Sequence, residues 1–219
     1  MDDSSTAASP GTGGGDCLLL QFAREPVPGS VKTRMLARLS AREACDLHAE
    51  LVLWTCKRLV GAQLGDVEIC VAGSPRHPLF AQCLTLGAAR VTQQRGADLG
   101  ERMFAAIERG LGLCDRVILV GSDCPQLDAD YLRSACAALD TCQVVIGPAL
   151  DGGYVLIGAR QIDARVFRGV PWGSAEVYAQ TLANLASAGL SATSLKPLAD
   201  VDTPADLPAW FALREQRAP

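Results

Sequence analysis

No stretch of this chain approaches the ~18 to 20 uninterrupted apolar residues that a membrane span requires, so a lipid-embedded protein is not expected. Residues 1–16, MDDSSTAASPGTGGGD, are acidic and rich in Gly and Ser, with no apolar centre. They lack the hallmarks of a signal peptide and read as a disordered leader. C-x-x-C spacing is missing too. The nine cysteines are an odd count and fall inside apolar segments, which predicts reduced core thiols in the cytoplasm over disulfides or zinc. Basic excess is a third absence: 20 Lys and Arg against 24 Asp and Glu leave a net charge of -4 and no basic face for nucleic acid. Histidine is scarce. His48 lies within a helical pattern and His77 on a polar loop; both read as structural, neither has the neighbours of a catalytic triad, and no nucleophilic hydrolase emerges.

What is present fits a single domain over residues 17–219, with 49% hydrophobic and 20% charged residues, ample for a sizeable core. Short apolar or β-branched runs recur at residues 17–23, 67–72, 89–93, 116–121, 143–148, 154–158 and around 193–198. Helical spacing separates most of them, at 41–60, 99–111, 129–139, 175–188 and 205–214. The first of these opens with a capping box, Ser40 with Glu43, and the last with Thr203 before Pro204 at the first helical position. Strands alternating with helices predict an α/β fold: a three-layer α/β/α sandwich around a mostly parallel sheet. Asp151-Gly152-Gly153 is a turn signal between two strand-like runs, and predicts an antiparallel excursion, either a hairpin or a reversed edge strand.

In an open α/β sheet, ligands bind beyond the carboxyl ends of the strands, so polar residues just after strands carry the functional argument. FAREPVPGSVKTRM, residues 22–35, places Arg24, Lys32 and Arg34 around two prolines and Gly29. Such cations can surround a di- or triphosphate, Arg as a planar fork and Lys as a point charge. The Walker pattern G-x-x-x-x-G-K-[ST] is absent and the prolines lack N–H groups, so side chains must hold the anion. Asp123 ends the apolar run of LVGSDCPQL, where a carboxylate either caps a turn or meets a cation. Asp200 and Asp202, in LADVDTPADL, are equally suited to precede a helix. Two carboxylate sites facing a cationic loop nevertheless describe a Mg2+ (or Mn2+) site that neutralises bound phosphate. In GADLGERM, Gly100 either admits a nucleotide close to the backbone or makes a tight strand-to-helix turn, with Arg102 beside it. Asp151 is a turn residue that can also face an acceptor or the metal, and Trp172 in VPWGS is either a substrate wall or core.

These motifs together, FAREPVPGSVKTRM, GADLGERM, LVGSDCPQL, GPALDGGYVLIG, VPWGS and DVDTPADL, resemble the DUF2064 family. Its members are glycosyltransferase-like proteins of GT-A fold within the nucleotide-diphospho-sugar transferase superfamily. The chain is also similar to guanylyltransferases that act on cofactors. The resemblance implies that Arg24, Lys32 and Arg34 contact phosphates and that Asp123 and Asp202 approach Mg2+, with Asp200 or Asp151 as a third ligand. It implies a transferase for a nucleotide-sugar, or alternatively for a nucleoside triphosphate, and a small acceptor hydroxyl that Asp151 would orient. A non-catalytic nucleotide sensor is the remaining alternative. Two departures bear on the reaction: S-D-C stands where sugar transferases of this fold usually have D-x-D, and R-E-P-V-P-G where nucleotidyltransferases have a Gly-Gly loop.

Overall fold

The run CLLLQFA is apolar almost without interruption because its strand is buried on both faces, as parallel central strands are. In the structure, a computed structural model describing residues 17–216, this run is β1 (Cys17–Arg24). The expected leader lies outside the described residues. The remaining strands are β2 (Gly65–Ala72), β3 (Arg90–Gln93), β4 (Arg116–Val120), β5 (Val144–Pro148), β6 (Tyr154–Ala159) and β7 (Ala192–Ser194). The helices are α1 (Ala41–Ala62), α2 (Pro78–Thr85), α3 (Leu99–Leu111), α4 (Ala129–Ala138), α5 (Val177–Ala188) and α6 (Leu207–Gln216).

The seven strands form one sheet in the order β3-β2-β1-β4-β6-β5-β7. All neighbours are parallel except the pairs that β6 makes with β4 and β5. Alternation along β1 divides the core. Leu19 faces the layer of α1, α2 and α4, whereas Leu18 and Leu20 face α3 and α5. This is the expected three-layer sandwich. The excursion at Asp151 is a hairpin, and the edge-strand alternative does not hold: β6 is inserted between β4 and β5, and the sheet's edges are β3 and β7. The last strand is shorter than its apolar run implies, with Leu198 making only an isolated bridge to Ala149.

Helix α2 is absent from the sequence reading, which has His77 as a structural residue on a polar loop. The imidazole Nδ1 of His77 accepts from the Leu79 amide at 3.2 Å and caps the helix, while Pro78 fills the first helical position. Eight residues are too few for a helical period to stand out. Helix α1 carries both bonds of its Ser40/Glu43 capping box. Thr203 and Asp206 form a second box over the short 3-10 turn Pro204–Asp206, which leads into α6.

A third apolar cluster decides where the chain's end lies. Trp210 of α6, 1% exposed, packs with Met35, Leu47, Leu51 and Val201, and meets Trp54 edge-on at 5.0 Å. Burying groups of this size contributes roughly 1.5–3 kcal/mol each, enough to hold residues 201–210 against the loop after β1. Among the described residues no helix is long and apolar enough to cross a membrane. None of the nine cysteines, all among the described residues, forms a disulfide.

Candidate functional site

The loop after β1 is held at intervals by buried Pro26, Val31 and Met35. Between them Val27-Pro28-Gly29-Ser30 closes a turn: the Ser30 amide donates to the Val27 carbonyl at 2.9 Å and Gly29 takes φ +81°. Lys32 then adopts the left-handed region, φ 49° and ψ 41°, which costs a residue with a Cβ about 1–2 kcal/mol. Its side chain, 3% exposed, runs inward. Its Nζ lies 2.8 Å from Asp123 Oδ1 and donates to the Val201 carbonyl at 2.5 Å. Two residues later Arg34 turns outward, its Nη1 2.5 Å from Asp202 Oδ2, while Met35 after it is fully buried. The cationic loop therefore reaches two of the four carboxylates that the sequence singled out, Asp123 and Asp202.

Asp123 owes its position to the buried polar residues around it. Ser122 Oγ donates to the Phe22 carbonyl at 2.8 Å and accepts from Gln21 Nε2 at 3.0 Å. Gln21 Nε2 also donates to the Val52 carbonyl, and Thr55 Oγ1 to that of Ser122. Downstream, the Asp123 carbonyl accepts from the Val201 amide at 2.8 Å. With its backbone clamped and one carboxylate oxygen against Lys32, the Asp123 side chain still keeps 45% exposure for its outward part.

Two further carboxylates complete the rim. Asp151 Oδ1 accepts from the Gly153 amide at 2.9 Å, and the turn is pressed onto the chain ahead of α5. Gly152 takes φ +91° there, its carbonyl accepts from the Tyr178 amide, and a Cβ would stand 2.2 Å from the Ala175 oxygen. Only glycine fits. Asp200 is half-buried, and its carboxyl is pushed up to about 6 by burial first and then by Asp151, with Asp202 and Asp123 adding to it. Arg24 sits exposed at the last position of β1, and its carbonyl lies 3.0 Å from Nε2 of buried His48. Burial pushes that imidazole down, towards the neutral form.

The GADLG segment packs tightly against the protein itself. Gly100 lies in the first turn of α3, and a Cβ there would come within 2.9 Å of both Phe167 and the Trp172 ring. Its close approach is to the protein's own side chains. Arg102 Nε donates to the Gly96 carbonyl at 3.0 Å and straps the loop to the helix.

Beside the rim opens a cavity of about 230 Å³, with Phe22, Leu99, Met103, Tyr154 and Trp172 among its walls. Arg34 and Asp151, both exposed, line it as well. Trp172 lines this cavity and also packs against the core cluster of α3 and α5. Phe22, Met103 and Tyr154 were not singled out by the sequence reading, because apolar residues in strands and helices look like core.

The comparisons with known proteins agree with this architecture. The family model of DUF2064, described as uncharacterized protein conserved in bacteria, matches residues 55–174. No curated protein matches the chain. Among solved structures, a proposed nucleotide-diphospho-sugar transferase from Desulfovibrio desulfuricans G20 is similar at 32% identity. The match covers 93% of this chain and 90% of that one, with a TM-score of 0.82. The 4-diphosphocytidyl-2C-methyl-D-erythritol synthase of Anaerococcus prevotii shares the fold at 7% identity and TM-score 0.61, over 94% of this chain and 100% of its own. A cytidylyltransferase from Leptospira borgpetersenii does so at 11% and 0.59, over 93% and 88%.

Proposed function

The chain belongs to the DUF2064 family, and we propose that it is a nucleotide-utilising, Mg2+- or Mn2+-dependent transferase. In its leading form it moves a glycosyl group from a nucleotide-diphosphate sugar to a small acceptor in the cytoplasm. One observation carries this reading. Lys32 and Arg34 from the loop after β1 meet Asp123 and Asp202 at the carboxyl ends of parallel strands, with Asp151 and Asp200 close by.

The residues fit a divalent ion whose shell the substrate completes. Among the described residues no three His, Cys, Asp or Glu side chains form a cage. Mg2+ prefers one or two carboxylates plus waters and phosphate oxygens. Asp123 keeps an outward part free, and the crowding that raises Asp200 marks carboxylates short of positive charge. Asp123 and Asp202 would hold the ion, while Asp200 does not complete a three-carboxylate set with them; bound there, the ion would supply positive charge to the departing diphosphate. Arg24, Arg34 and Lys32 would add to that charge, with Gly29 shaping the loop that presents them. Asp151 would accept the proton of the acceptor hydroxyl as its oxygen bonds to the sugar's anomeric carbon and the nucleoside diphosphate leaves with the bonding electrons.

A second reading is nucleotidyl transfer, in which the acceptor attacks the α-phosphorus and pyrophosphate leaves. It is favoured by Ser122, which is 4% exposed and turned inward, so that the end of β4 offers Asp123 alone in place of a carboxylate pair. The test is thermal melting of the full chain with nucleotide-sugars and nucleoside triphosphates, with Mg2+ or with chelator, followed by product analysis. A ligand bound only to the folded state raises stability by RT ln(1 + [L]/Kd). Release of nucleoside diphosphate from a nucleotide-sugar supports the first reading, and pyrophosphate from a triphosphate the second. Binding without turnover leaves a nucleotide sensor, and the absence of any nucleotide-dependent shift overturns all three.

A further inference from the structure

The cavity beside the rim is lined mostly by apolar side chains. Aromatic residues make up 5% of the chain, yet Phe22, Tyr154 and Trp172 all line this one space. Tyr154 and Trp172 stand edge-on with ring centroids 6.4 Å apart. Gly100 is what lets the indole lie so close to α3, since any Cβ there would press on it at 2.9 Å. Leu99, 42% exposed, carries the apolar lining outward, and Met103 closes the inner side. The Tyr154 hydroxyl is turned to Met103 Sδ at 3.8 Å and interacts with Thr181, so it is not free for a ligand. Among the described residues, charged groups enter only through Arg34 and Asp151.

A hexose taken into such a space would lose water from its hydroxyls and find partners at Arg34, Asp151 and Ser174 for only some of them, and each group left unpaired is unfavourable. A flat or branched apolar body loses nothing of the kind, and aromatic walls favour it further through edge and offset contacts. We propose that this cavity is the acceptor subsite, and that the acceptor is an alcohol with an aromatic or branched-aliphatic body, its hydroxyl directed at Asp151. The assignment rests on the transferase reading of the rim, but it is the same whether a glycosyl or a nucleotidyl group is transferred.

The test uses the full chain and two probes, 4-isopropylbenzyl alcohol and methyl α-D-glucopyranoside, titrated calorimetrically without nucleotide. The aromatic alcohol is expected to bind at least tenfold more tightly than the glucoside. Leu99→Trp, which fills the mouth from an exposed position, and Trp172→Ala, which removes a wall, are each expected to weaken that binding at least fivefold. The metal-dependent shift given by nucleotide should persist in Leu99→Trp. If Trp172→Ala does not fold, Leu99→Trp carries the comparison alone. Equal or tighter binding of the glucoside, or alcohol affinity unchanged in the folded variants, overturns the proposal. Wild-type protein that binds the alcohol but never responds to nucleotide and metal would overturn the transferase reading, and with it the acceptor role, while leaving the cavity's apolar preference intact.

Discussion

Two carboxylates in this molecule, Glu68 on β2 and Asp200 on the rim, are both withdrawn from water, and they are treated in opposite ways. Glu68 is wholly buried, which by itself would push its carboxyl up, but Thr92, Arg109 and Arg90 outweigh that and hold it below the usual range. Thr92 Oγ1 and Arg90 Nε each donate at 2.6 Å, and Arg109 grips both oxygens. Asp200 has burial against it as well, yet its neighbours Asp151, Asp202 and Asp123 are all acidic, and its carboxyl rises to about 6. A charge kept for the fold is satisfied from within the chain. The rim is left short of positive charge, and it lies where the strands end and a ligand can enter. The exposed Arg34–Asp202 pair does not alter that balance, since such pairs contribute little to stability, typically below about 1 kcal/mol.

Substitution at the two regions should separate function from stability. Asp123→Asn keeps an oxygen for Lys32 but removes the charge, and is expected to lower turnover at least a hundredfold, roughly 3 kcal/mol at the transition state. Its melting temperature in chelator should fall, because Lys32, 3% exposed, loses the charge it pairs with, but by less than in Glu68→Ala, since the amide oxygen still accepts from the ammonium; the check is steady-state kinetics beside a melting curve. Activity within threefold of wild type would detach Asp123 from the chemistry. Glu68→Ala should do the reverse. Its arginines keep 45% and 41% side-chain exposure and so retain much of their hydration, which trims the cost of breaking the cluster to about 2–3 kcal/mol, read by urea denaturation. The nucleotide-dependent shift should survive at temperatures where the variant is folded.

The contrast also explains what could be read in the sequence. Strands β1 and β4 were legible because a doubly buried strand is a continuous apolar run, and α1 because Ser40 and Glu43 advertise its start locally. The insertion of β6 between β4 and β5 was not, since strand order is decided by long-range pairing and the hairpin signal at Asp151 does not encode it. Asp123, Asp202 and Arg34 were legible as charges just after or before ordered segments. Their pairing joins residues 168 apart in the case of Arg34 and Asp202, and it depends on Trp210 docking into its own cluster. Glu68 and Gln21 were not picked out, although a polar residue inside an apolar strand is the signal that could have found them: Gln21 is 0% exposed and anchors Ser122 beside Asp123.

The mildest expected change sharpens the comparison through pH. A carboxyl whose folded value is raised favours the protonated form in the native state, so between about 4 and about 6 the folded protein holds more protons than the unfolded chain. Stability from this group therefore falls as pH rises through that window, and the penalty is fully present above it. Glu68 has the opposite sign: its contribution is complete above the ordinary glutamate value of 4.5 and is lost as pH falls through its lower folded value. Asp200→Asn in chelator should accordingly stabilise the protein at pH 7 by about 1 kcal/mol, after discounting the shift for solvent at a half-buried site, and by nothing measurable near pH 4. Urea denaturation of wild type and variant at the two pH values measures it. A variant that is equally stable or weaker at pH 7 would mean that the rim's negative charge is already balanced inside the chain, as it is at Glu68, and the distinction between the two regions would disappear.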